Sequence, residues 1–196
     1  MSDTPSREDV LRATAGLREF RAPSERVSHG LRTLLLGLWE MLAPIRDSVT
    51  HPEGDPPSLI LLTNGDRVVA ALDVTPIIGL PDREAVAAII QTLVADQEAV
   101  PDHVVLMQSL YMRIVGEDQV VGERVEYLQF RLETVDGYGA MMSSKVQRSE
   151  ASPPRFEAPE LVVYGDEVTK AGGVVANFYK VAAERAMADA SATKRH

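Results

Sequence analysis

Asp73, Glu126, Glu133 and Lys145 are the residues of this 196-residue chain whose types and placement come nearest to joint chemistry. Carboxylates on neighbouring strands with a lysine at hand can hold a divalent cation and activate water for hydrolysis. The spacing departs from that pattern. No Glu-x-Lys pair follows an aspartate at a useful distance, and Glu126 and Glu133 fall on the outward parity of their respective strand halves, where charged side chains meet water and pair across strands. Asp73 differs because its strand is otherwise apolar, with VVAAL before it and Val74 after it. That setting predicts a half-buried carboxylate that needs a cation, with Arg113 as the candidate partner.

Other chemistries have less to stand on. Histidines occur at positions 29, 51, 103 and 196, without HxH, HxxxH or HExxH spacing, and His103, directly after Pro101-Asp102 at a strand start, is the best placed of them. There is no cysteine, which removes disulfides, thiol catalysis and thiolate zinc sites. Ser109, Ser143 and Ser144 lack a Gly-x-Ser-x-Gly elbow, and Gly165, Gly172 and Gly173 form neither GxGxxG nor a P-loop. The sequence therefore predicts no catalytic residue, no metal and no cofactor.

The charge balance narrows the partners. Acidic residues outnumber basic ones by 29 to 20, for a net charge of -9, which disfavours nonspecific nucleic-acid binding and an anionic membrane surface. Arg12, Arg18, Arg21, Arg26 and Arg32 interleave with Glu8, Glu19, Glu25 and Glu40, the pattern of a solvated helix face. The acidic, polar first ten residues lack the form of a leader, and the longest strongly apolar run, Thr33 to Trp39, is far short of a membrane span. The expectation is a cytoplasmic protein.

The elements that must position these residues follow from periodicity. Residues 1–50 read as two helices, the second from Ser24 to about Leu42, where Pro44 interrupts it. Turn residues fill His51 to Pro57, and residues 58–148 read as a β-hairpin, a helix and a three-stranded meander. Asn64-Gly65-Asp66 closes the hairpin between Ser58–Thr63 and Arg67–Thr75, and the helix runs from Asp82 to Gln97. Val104–Val115 is apolar at both parities, as a strand covered on both sides is. A β-bulge near Tyr127 and Leu128 would keep Val125, Tyr127, Leu128, Phe130 and Leu132 on one side. Residues 149–160 read as a linker, 161–190 as a strand and helix packing on the same domain, and 191–196 as a frayed tail.

The predicted fold class is thus α+β, with a five-stranded antiparallel sheet and N-terminal and C-terminal helices packed on it. Over residues 24–188 this element order resembles that of profilin-like, roadblock and PAS-type domains. The resemblance implies a dimerisation, GTPase-regulating or ligand-sensing module rather than an enzyme.

Two binding surfaces are expected. Leu34, Leu35, Leu38, Trp39, Met41 and Leu42 make the second helix apolar almost all round, so it serves as an interface unless another helix covers it. That predicts a non-catalytic adaptor domain that associates with itself or another protein. The alternative is a small-ligand sensor whose pocket, between the meander and the helix at 82–97, is lined by Met107, Tyr111, Tyr127 and Phe130. A metal-dependent hydrolase centred on Asp73 is the third reading.

Overall fold

The structure, a computed structural model, describes residues 23–78, 89, 92–93, 96–97, 100–115, 121–134 and 138–164. The helices expected before Ser24 and after Gly173, and most of that at 82–97, lie outside the described residues.

Helix α1 spans Glu25–Met41. Its start is set by Ser24, whose side chain accepts a hydrogen bond from the Val27 N–H at 3.3 Å. A short helix α2, Ala43–Arg46, follows at once, because Pro44 cannot continue α1 but suits the first turn of a new helix. Strands β1 (Leu59–Asn64) and β2 (Arg67–Asp73) form the expected hairpin, with Gly65 at φ 58° in the turn. Helix α3 is a single turn, Thr75–Ile78. Then come β3 (His103–Val115), β4 (Val121–Thr134), β5 (Gly139–Ser149), β6 (Ser152–Phe156) and β7 (Glu160–Tyr164).

The sheet order is β2-β1-β3-β4-β5-β6, with β7 also on β5, and the pairings between neighbours are antiparallel. The α+β class and the antiparallel sheet hold, but the described residues form seven strands rather than five, and α2 and α3 are additional short helices. The segment expected to be a linker supplies β6. Pro153 and Pro154 hid it, yet proline is tolerated on an edge strand, which needs backbone bonds on one side only. Strands β6 and β7 lie along the same edge of β5, separated by a kink. There the Glu157 N–H donates to the Lys145 carbonyl at 3.0 Å, and the Ser144 hydroxyl donates to the Glu157 carbonyl at 2.6 Å.

Two further expectations change. Strand β4 pairs with β3 in unbroken register from Thr134 to Arg124, so no bulge occurs at Tyr127, and the regular alternation turns Tyr127 away from the face of Leu128 and Phe130. Only His103–Met107 of β3 has strand neighbours on both sides, since β1 ends its pairing there. From Tyr111 on, β3 and β4 pair with each other alone, because β5 ends its pairing with β4 at Tyr127, and the two run on as a two-stranded ribbon.

The larger core lies under α1. Leu31, Leu34, Leu35, Leu38, Trp39 and Leu42 pack on Leu59, Leu61, Val105, Met107, Leu128, Phe130, Leu132, Ala140 and Met142. Each fully buried leucine contributes roughly 1.5–3 kcal/mol of transfer free energy. Trp39 meets Phe130 and Phe156 edge-on, at centroid separations of 5.8 and 6.4 Å, and the Arg46 guanidinium lies 3.9 Å over the indole. On the opposite face Ile60, Leu62, Val74 and Val104 make a smaller core. Both parities of β1 are therefore buried, and its LILLT sequence reads as one apolar run.

Candidate functional site

The predicted polar residues are dispersed by the fold. Asp73 stands at the exposed end of the edge strand β2, not half-buried, and its Oδ1 accepts the Thr75 N–H at 2.9 Å. Thr75, first through its hydroxyl and then through its N–H, holds that carboxyl below the usual carboxylate range. Asp73 thus supports the turn into α3, and the side chain of Arg113 lies outside the described residues. Lys145 is exposed on β5, opposite Tyr127.

Glu126 is buried, contrary to its expected outward position. It shares the α1 face of the sheet with Leu128 and is engaged by Arg148 from β5, whose Nε and Nη2 donate to its two oxygens at 2.6 Å each. Arg148 Nη1 donates to the carbonyls of Pro52 and Gly54 at 2.7 and 2.9 Å, and Nη2 also donates to Asp55. Five guanidinium donors meet five acceptors, so Arg148 clasps the proline-rich 51–57 loop to the sheet. Its hydrogen bonds to Glu126, with the Asp55 charge, hold the Arg148 proton more firmly than usual.

Glu133 is also buried, on the opposite face, with 1% of its surface exposed. Neither of its oxygens makes a hydrogen bond, and Arg131 Nε approaches Oε1 only to 3.4 Å. Burial pushes the carboxyl up to about 7, while the Arg131 charge pulls it down. Glu126 and Glu133 lie on opposite faces, so the carboxylate constellation does not assemble. Among the described residues no group of three or more His, Asp or Glu converges as a metal-binding set.

The expected interface residues are mostly core. Leu34, Leu35, Leu38, Trp39 and Leu42 are buried against the sheet, and Met41, with Leu36, is exposed. The sheet face is wide enough to accept nearly the whole apolar stripe, so a second protein is not required to cover it. The four residues expected to line the other pocket do not share one wall, and most of the helix expected to form its far side lies outside the described residues. Met107 and Phe130 are fully buried beneath α1, Tyr127 faces the other side of the sheet, and Tyr111 is exposed with Arg124 4.1 Å over its ring.

A cleft is instead present on the α1 face, at the end of the sheet where the β1–β2 turn, the start of β3 and the end of β4 converge. Its volume is about 840 Å³, within the range of about 300–1,000 Å³ usual for small-molecule sites. Val27, Gly30, Leu31, Leu34, Gly37, Leu38 and Met41 form the helix wall, and Tyr138 and Thr134 lie across from them. Gly30 and Gly37 stand two turns apart, and a Cβ at either position would meet nothing within 4 Å. Their missing side chains leave a gap that no other part of the described chain fills.

The polar end of the cleft is built by short-range hydrogen bonds. Asp102 Oδ2 accepts the Gly65 N–H at 2.7 Å, and the Asp102 N–H donates to the Thr63 carbonyl at 2.9 Å and to Asn64 Oδ1 at 3.1 Å. His103 Nδ1 lies 2.9 Å from the hydroxyl of the fully buried Thr63, which fixes the imidazole at the rim. Asp66 and His29 complete this end. His103 was the best-placed histidine by sequence, whereas Gly30, Gly37, Asp66 and Asp102 were missed. The available signal was the pair of glycines inside a helix, each costing about 1 kcal/mol relative to alanine, with no turn to explain it.

No family model, curated protein or solved structure matches the chain.

Proposed function

We propose that this protein is a noncovalent binding module that takes a small, largely apolar molecule in the cleft between α1 and the polar end of the sheet. The observation that carries the reading is a cleft of ligand size along α1, in which no described atom lies within 4 Å of where a Cβ would stand at Gly30 or Gly37. Support comes from its composition. An apolar wall gives affinity through burial, and a few polar groups gathered at one end give orientation. This is the ligand-sensor alternative moved from one helix to another. The adaptor reading keeps only Met41 and Leu36 of the helix surface it relied on.

The test uses decan-1-ol as an uncharged apolar probe, read by calorimetry and by thermal unfolding of the full chain. Decanol is expected to bind and raise Tm, as any ligand selective for the native state does. The Gly37→Leu variant, which places a side chain into open space, is expected to fold and to lose both effects. Absence of binding by the parent protein, or equal binding by Gly37→Leu, would contradict the reading.

A further inference from the structure

We infer that the molecule taken by this cleft is an amphipathic amine, with its ammonium group at Asp66 and Asp102 and its apolar body lying along α1 over Gly30 and Gly37. The inference rests on the preceding reading and adds the charge of the ligand. The two carboxylates line the cleft beside His29 and His103, and among the described residues no lysine or arginine lines it. Asp102 is held in place by the Gly65 N–H on Oδ2 alone, which leaves Oδ1 available to a ligand. Asp66 is exposed in the β1–β2 turn. The chain's net charge of -9 adds a field of the same sign, favouring approach of a cation over an anion.

The opposite end is chemically different. Gly30 and Gly37 are seven residues apart, about 10 Å along a helix axis at 1.5 Å per residue. The helix wall of the trough between them is mainly Leu34, Leu38 and Met41; the Thr33 hydroxyl there already donates to the His29 carbonyl at 3.0 Å, and across from it Thr134 Oγ1 already accepts the Tyr138 N–H at 3.0 Å. A molecule with one cationic end and one extended apolar body matches both ends at once. Burial along the trough supplies most of the affinity, and the exposed ion pair supplies selection.

The experiment compares decylammonium, decan-1-ol and decanoate at pH 7 by calorimetry on the full chain. Decylammonium is expected to bind about fivefold tighter than decanol, and decanoate more weakly than either. The gap between decylammonium and decanol should shrink as salt is added. Asp66→Asn with Asp102→Asn is expected to erase the order, so that decylammonium no longer binds tighter than decanol to the same variant, and Asn keeps an oxygen for the Gly65 N–H. Asp66→Asn alone serves if the double variant fails to fold, because Asp66 is exposed, and it should narrow the gap. Equal binding of all three probes, or preference for decanoate, would overturn the charge assignment and leave the cleft reading standing. Failure of all three to bind, or binding that survives Gly37→Leu, would overturn both.

Discussion

Glu133 is a carboxyl with 1% of its surface exposed and no hydrogen bond to either oxygen, and its cost depends on pH. Its value rises from 4.5 to about 7 on folding, chiefly by burial. Between those values the folded protein holds a proton that the unfolded chain has released, so stability falls as pH rises through that window. The loss is roughly 3 kcal/mol, complete above the folded value. Glu133→Gln removes the ionisation and is expected to be the more stable form at pH 8, with a flatter pH dependence. Urea unfolding of both proteins at pH 5 and pH 8 checks this, and an unchanged difference between the two pH values would contradict it. Sequence alternation placed Glu133 correctly on the face opposite Leu132, but parity reveals only which side a residue takes. What covers that side is decided by segments distant in the chain. Glu126 shows the same gap, since its partners come from β5 and from Asp55.

At the scale of elements, α1 was legible to within a residue at each end, and the β1–β2 hairpin to within two. Both are written in local chemistry: the Ser24 cap, the apolar stripe and the Gly65 turn. Strand β6 was not legible, because prolines and polar residues suit an edge strand and a linker equally well. The long apolar stretch of β3 was read as central throughout, whereas only its first half is flanked on both sides. The glycines of α1 carry the prediction that belongs here. Gly30→Ala and Gly37→Ala each remove a helix-interior glycine where an added Cβ meets open space, so each should stabilise the protein by about 0.5–1 kcal/mol. Each should also weaken decanol binding, because the new methyl group enters the trough. Thermal unfolding with and without decanol measures both effects. Stabilisation accompanied by unchanged decanol affinity would place the ligand elsewhere.

For the molecule as a whole, the apolar excess of α1 is explained within one chain. The sheet presents an apolar face from β1 through β5, and α1 lies across it with Trp39 between Phe130 and Phe156. Composition and periodicity could count the greasy positions of that helix but not the width of the surface receiving them, so interface and core were indistinguishable in the sequence. The cleft was out of reach for the same reason: its walls come from α1, the β1–β2 turn, β3, β4 and Tyr138, which meet only after folding. Placing the ligand against those walls is the central claim, and backbone amide chemical shifts recorded during a decylammonium titration test it most directly. The account predicts saturable shifts centred on Gly30, Gly37, Gly65, Asp102 and His103, with Asp73 and Arg148 unmoved. Shifts concentrated elsewhere, or none at saturating probe, would contradict it.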